Sequence, residues 1–236
     1  MRPIVAIDGP VGAGKSTVAR ALARALGFEY LNTGAMYRAV AIAAREAGID
    51  GGALVSDGAA TALEARLRPL LEAISIELAG DRVLLDGRDI TAATREPAIG
   101  DLASRLSALA PVRARLQELQ RAAGAAGGVV MEGRDIGTVI FPDAEIKFFL
   151  VADVAERARR RWAELTAKGV AIALAEVRAE LEERDRRDAG RALDPLRAAP
   201  DAIEIDSTAR GVEQVVNAMC TRVNTVSHVL KGLKRA

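Results

Sequence analysis

The chain of 236 residues is half hydrophobic and 28% charged, an ordinary globular composition with enough length for one large α/β domain. A formal net charge of +1 and an aromatic content of 3% argue against a general nucleic-acid binder, which needs excess Lys and Arg and rings for bases to stack on. Cys220 is the only cysteine, so no intrachain disulfide forms, and no apolar run approaches the roughly 18 residues of a membrane span; the expectation is a cytoplasmic protein with no membrane partner.

In chain order, "PIVAI" (Pro3 to Ile7) is a short apolar run stopping at a glycine-rich turn, and reads as a buried parallel strand. In "STVARALARALG" the residues Val18, Leu22 and Leu26 recur every four positions and Gly27 supplies a stop, so a helix follows. "FEYL" (Phe28 to Leu31) is a second strand. Further strands are expected at "GVVM" (Gly128 to Met131), "EIKFFLVA" (Glu145 to Ala152) and "AIEID" (Ala202 to Asp206), with helical patterns between them. That alternation predicts an α/β fold with about five parallel strands and helices on both faces. Ile74 to Thr91 breaks the pattern. Its period-two alternation around a Gly-Asp turn predicts a small antiparallel hairpin or three-stranded unit, inserted between helices. The stretch 48–58 reads as a loop, and the mildly basic tail from Thr221 as an end that frays.

"GPVGAGKS" spans Gly9 to Ser16 and fits G-x-x-x-x-G-K-[ST] between a strand and a helix. The backbone N–H groups of Gly9, Pro10, Val11, Gly12, Ala13 and Gly14 (Pro10 lending only its turn) form a phosphate cradle that leads into Lys15, Ser16 and Thr17. Lys15 reaches the β- and γ-phosphates, and the Ser16 hydroxyl can ligate Mg²⁺. Such a loop serves kinases, GTPase switches and motor ATPases alike. The D-x-x-G and N-K-x-D sequences of a GTPase are absent.

An acceptor site needs further groups. "NTGAMYRA" (Asn32 to Ala39) offers the Thr33 hydroxyl, the Tyr37 phenol and the Arg38 guanidinium, or simply a helix start capped by Asn32 or Thr33. "EGRD" follows the strand "GVVM", so Glu132, Arg134 and Asp135 stand at a strand's carboxyl end, where open α/β sheets bind ligands. In "EERDRRDAGR", Arg184, Asp188 and Arg191 are spaced i, i+4 and i+7, on one face of a helix. "ERARRRW" carries four arginines between Arg157 and Arg161, either a solvated helix or positive charge for a phosphoryl group in flight. His228 stands alone and no Cys/His cluster suggests zinc.

"IDGPVGAGKSTVA", "TGAMYRA", "EGRDIGTVIFPDAEIKFFL" and "ERDRRDAGRALDPL", in this order and spacing, resemble the bacterial cytidylate kinases, a nucleoside monophosphate kinase family. The resemblance covers nearly the whole chain. It implies one P-loop kinase domain over 1–236, with a monophosphate-binding insertion at about 33–113 and an arginine-rich lid at about 155–191. It implies transfer of the ATP γ-phosphate to CMP or dCMP with Mg²⁺, by a monomer acting on small molecules. By matching motif, Lys15, Arg38, Arg134 and Arg191 become the catalytic cations, Arg157 joins the P-loop in holding ATP, and Ser16 holds the metal. Thr33 and Arg38 fall to the acceptor phosphate with Tyr37 nearby, Ser104, Arg113 and Asp135 to cytosine, and Arg184 and Asp188 to the ribose. Arg134 and Arg191 also contact phosphate. Two departures stand out: Asn32 where the family usually has Asp, and "ALDPL" for the commoner "AVAPL". The alternatives are a kinase for another small acceptor such as UMP, and a P-loop nucleotide sensor without an acceptor.

Overall fold

The computed structural model describes residues 2–49 and 57–233. Most of the loop read at 48–58 lies outside the described residues, as does the side chain of His228. The chain begins with β1 (Ile4–Asp8), α1 (Lys15–Leu26), β2 (Glu29–Asn32), α2 (Thr33–Glu46) and α3 (Asp57–Ala73). The short strands β3 (Ile76–Ala79), β4 (Arg82–Leu85) and β5 (Arg88–Asp89) follow, then α4 (Pro97–Leu106) and α5 (Ala110–Gly124). The chain then forms β6 (Val129–Glu132), a π-helical turn (Ile136–Ile140), β7 (Ile146–Val151), α6 (Val154–Ala167), α7 (Leu174–Gly190), β8 (Ile203–Asp206) and α8 (Val212–Leu233).

Five strands form one parallel sheet in the order β2-β6-β1-β7-β8, flanked by helices. β1 lies at its centre, pairing in parallel with β6 (Ile7 opposite Glu132) and with β7 (Asp8 opposite Phe149). All four residues of β6 are buried. Each expected strand falls within a residue of the observed one, and the buried central strands β1 and β6 read as near-continuous apolar runs because both their faces are covered. β3, β4 and β5 form the separate antiparallel sheet expected between Ile74 and Thr91.

The chain divides into two compact units, one made of Met1–Tyr30 with Ala126–Ala236 and the other of Leu31–Ala125. The first unit is built on Val5, Ile7, Val18, Leu22, Phe148 and Leu150. Val215, Met219 and Val223 of α8 join that core at helical spacing. Helix runs through the described part of the tail to Leu233, with Val223 buried, and residues 234–236 of the tail expected to fray lie outside the described residues. In the same unit α6 and α7 pack on each other through Ala158, Leu165, Val177 and Leu181. The second unit encloses Ile42, Leu67, Leu85, Ile99, Leu106 and Leu116. Its α2 starts at an Asn32 cap, whose Oδ1 accepts from the Ala35 N–H at 3.3 Å. An amide caps a helix about as well as a carboxylate. Asn32 thus caps the helix without the charge an Asp would bring.

Candidate active site

The glycine loop leaves the carboxyl end of the central strand and enters α1. Gly9 has φ 148°, and a Cβ there would sit 2.1 Å from the Leu150 carbonyl oxygen, so only glycine lets the loop pass this close to β7. Lys15 is buried, and its Nζ donates to the Gly9 and Pro10 carbonyls at 2.7 Å each. Burial and the neighbouring Arg134 hold its ammonium well below the usual lysine range, while Glu132, Asp188 and Asp8 pull it back up. Ser16 and Thr17 are exposed on the first turn of α1.

Two groups brace the loop from outside it. The Ser207 Oγ donates to the Ala13 carbonyl at 3.1 Å. The Arg157 guanidinium donates to the Val11 carbonyl at 3.0 Å, to the Ala152 carbonyl at 2.9 Å and to Asp185 at 2.6 Å. Arg157 is buried, so it is committed to the backbone of the loop and to α7. Ser207 carries no motif, and Asp185, though it lies within "EERDRRDAGR", is not among the residues singled out there, so the sequence reading missed both. Their partners lie 28 and 194 residues away.

Glu132 ends β6 in the interior and accepts from the Tyr30 phenol at 2.5 Å. The same phenol interacts with the Ser16 hydroxyl, and burial and Glu132 raise its pKa. Arg134 donates to Asp188 at 2.9 Å, and Asp188 is 4% exposed. Burial works to raise the Asp188 carboxyl, but Arg134, Arg184 and Arg191 together hold it below the ordinary value. The structure therefore gathers Arg134, Arg184, Asp188 and Arg191 into one cluster, electrostatically linked to Lys15. One expectation is corrected here. Arg191 is not on the helical face, because α7 ends at Gly190 and Arg191 turns to φ −59°, ψ 137°. Its side chain donates to the Asp194 carbonyl at 3.0 Å.

Removing Asp188 would leave three guanidiniums without their shared carboxylate. Breaking such a pair costs about 3 kcal/mol, the lower end of the range because Arg134 is partly exposed. Asp188→Ala should therefore lower the melting temperature and also raise the KM of the acceptor nucleotide. Thermal melts beside steady-state kinetics check both. A lower melting temperature with unchanged kinetics would leave Asp188 a structural ion-pair partner only.

Asp8 is the buried carboxylate that the sequence reading passed over. Its only signal is a charge closing an apolar strand directly before the glycine loop. Its Oδ1 accepts from the Ile136 N–H at 2.9 Å and its Oδ2 from the Gly137 N–H at 2.8 Å. Burial pushes its pKa up to about 6, helped by Asp135 and opposed by those two N–H groups and by Lys15. The folded chain thus holds the proton more tightly than the unfolded chain does. The stability from neutral Asp8 is complete below about pH 4 and is lost as the pH rises through about 6. Melts of the wild type and Asp8→Asn between about pH 4 and pH 7 should show the wild type losing ground as pH rises. A pH-independent difference would refute that titration.

The remaining expected site residues lie in the second unit. Thr33, Tyr37 and Arg38 all belong to the first turns of α2, Ser104 to α4 and Arg113 to α5. Ser104 and Arg113 meet through Ser107, whose Oγ donates to the Ser104 carbonyl at 2.7 Å and whose carbonyl accepts from Arg113 at 3.3 Å. Ser104 and Arg113 are both buried. The Ser104 Oγ has no hydrogen-bond partner among the described residues.

A glycine loop at the centre of a parallel sheet with a buried lysine at its exit defines a P-loop nucleotide-binding protein, and arginines with buried carboxylates gather beside that lysine. The Cytidylate kinase family model matches residues 5–225. The chain is 50% identical over 220 residues to a protein named cytidylate kinase from Citrifermentans bemidjiense, covering 92% of this chain and 90% of that one. It is 49% identical over 227 residues to a cytidylate kinase of Pelotomaculum thermopropionicum (94% and 96% covered), and 46% identical over 227 residues to one of Chlorobaculum tepidum (94% and 93%). The chain belongs to the cytidylate kinase family and is a phosphotransferase.

Proposed function

We propose that the protein transfers the γ-phosphate of ATP to CMP or dCMP, giving CDP or dCDP. The observation that carries this reading is the Lys15-centred P-loop beside the Arg134–Asp188 cluster, in a chain of this family. The loop amides and Lys15 take the ATP phosphates. Ser16 and Thr17 stand at the start of α1, where the helix dipole favours an anion. Arg157 supports the loop by holding the Val11 carbonyl, so its contribution to ATP binding runs through loop shape.

Magnesium suits the donor set. The Ser16 hydroxyl is exposed at the head of α1, and the Glu132 carboxylate is tied to it through the Tyr30 phenol. Mg²⁺ takes most of its ligands from phosphates and water, so it needs no cluster of three protein ligands, and the described residues contain none. Held at Ser16, it would supply charge neutralisation for the phosphates.

The acceptor is assigned to Thr33, Tyr37 and Arg38 for its phosphate, Ser104, Arg113 and Asp135 for cytosine, and Arg184 and Asp188 for the ribose, with Arg134 and Arg191 on phosphate. In this reading the insertion at about 33–113 serves the monophosphate and the segment at about 155–191 is the lid. The nucleophile is a phosphate oxygen of CMP. A phosphate monoester loses its second proton near pH 6, so it is already dianionic at neutral pH and needs no general base. It needs alignment with the γ-phosphate and relief from repulsion between anions. Lys15 and the arginines supply both. The reading also takes the chain to act on free nucleotides in the cytoplasm, which its lone cysteine suits, and as a monomer; among the described residues no helix is long and apolar enough to cross a membrane.

ADP release measured with each nucleoside monophosphate in turn tests the proposal. CMP and dCMP should drive it. Preference for another acceptor would move the substrate, and ATP binding without ADP release on any acceptor would leave a nucleotide sensor.

A further inference from the structure

Asp8 touches neither the glycine loop's phosphate cradle nor any other side chain by a described hydrogen bond; both of its oxygens are spent on the backbone that follows Asp135. The two amides it holds, those of Ile136 and Gly137, open the π-helical turn, and the Asp135 carbonyl closes that turn by accepting from Val139 at 2.9 Å and Ile140 at 3.2 Å. Residue 135 is therefore gripped from both sides. The Gly133 N–H adds a third tie, donating to the Ile7 carbonyl at 3.0 Å. Consecutive residues at the end of β1 thus lace down the segment 133–137. Gly137 is part of the same fit. A Cβ there would lie 3.1 Å from the Lys147 Cδ and 3.5 Å from the Asp8 Oδ2.

π-helical turns are rare and concentrate at functional sites, because they aim a residue in a direction an α-turn does not. Here the turn's first amides are buried, and a buried amide needs an acceptor. Asp8 provides one for each of two amides with a single side chain that is 4% exposed. Asparagine has the same shape but only one acceptor oxygen.

We propose that Asp8 is a positioning residue for base selection: from the strand that leads into the ATP loop, it fixes the backbone that aims Asp135 at the acceptor base. The proposal rests on the assignment of Asp135 to cytosine given above. It makes one residue answerable for geometry on both sides of the reaction, since Gly9 follows Asp8 directly and Asp135 precedes the amides that Asp8 holds.

The test is kcat/KM for CMP and for UMP in the wild type, Asp8→Asn and Asp135→Ala, with the ATP KM and a thermal melt for each. Asp8→Asn should lower the CMP-to-UMP ratio about tenfold, the worth of one strong hydrogen bond, through a higher KM for CMP and with the ATP KM nearly unchanged. A purely structural Asp8 would lower the melting temperature and both activities in parallel, leaving the ratio intact, and that result overturns the proposal. A ratio that moves in Asp135→Ala but not in Asp8→Asn also overturns it, while the cytosine assignment stands. A ratio that moves in neither removes the cytosine assignment and this proposal with it. If Asp8→Asn does not fold, Gly137→Ala disturbs the same hydrogen bond from the other side. A lowered ratio in Gly137→Ala supports the proposal and an unchanged one overturns it.

Discussion

Lys15→Ala should lower kcat about 10³-fold, the cost of removing one preorganised charge from a transition state, while the protein stays folded. Lys15 is the one lysine in the P-loop, and its Nζ sits 2.7 Å from two loop carbonyls, at the strand end where the phosphates are expected. The fold should survive because the loss works in both directions. Burial and Arg134 already disfavour the ammonium, so its removal relieves that cost. Glu132, Asp188 and Asp8 lose a favourable neighbour at the same time. Single-turnover ADP release beside a thermal melt separates the two effects. Turnover close to the wild type would take the P-loop out of the mechanism.

Asp135→Ala should remove most of the preference for CMP over UMP. Cytosine presents an amino donor at N4 and acceptors at N3 and O2, whereas uracil presents an acceptor at O4 and a donor at N3. An ionised Asp135 only accepts, and Arg113 only donates. In the assigned roles that pair matches cytosine and opposes uracil at both positions. Sites built to hydrogen-bond a polar group reject its mismatched analogue by about 10⁴-fold, because buried polar groups are left unpaired. Asp135 and Arg113 are both buried, and in the assigned roles the cost falls on the uracil O4 and N3 groups, which meet no complementary partner there. The variant should lose selectivity mainly through poorer use of CMP. The ratio of kcat/KM for the two nucleotides is the measurement, and an unchanged ratio would mean that Asp135 does not read the base.

Much of the fold was legible because its elements are local. β1 and β6 are apolar up to their last residue and β7 is apolar except for Lys147, as strands covered on both faces largely are, while β3 and β4 alternate because their sheet has one covered face. The P-loop is one contiguous stretch of chain, so its glycines, Lys15 and Ser16 could be named directly. The i, i+4, i+7 spacing of Arg184, Asp188 and Arg191 brought the right residues together, yet for an incomplete reason. Asp188 is the shared partner and also draws in Arg134, 54 residues away, and the helix stops before Arg191.

By itself, the sequence determined the alternation of strands and helices, the phosphate loop and the family. Each of these is written in short-range spacing, which periodic burial and backbone geometry impose on neighbouring residues. Only the tertiary structure decided what the buried charges do. Asp8 reaches amides 128 and 129 residues on, Arg157 turns back to a loop carbonyl 146 residues away, and Asp188 closes on Arg134. Burying a charge costs free energy unless a partner is in place, and parallel strand pairing brings such partners from distant parts of the chain.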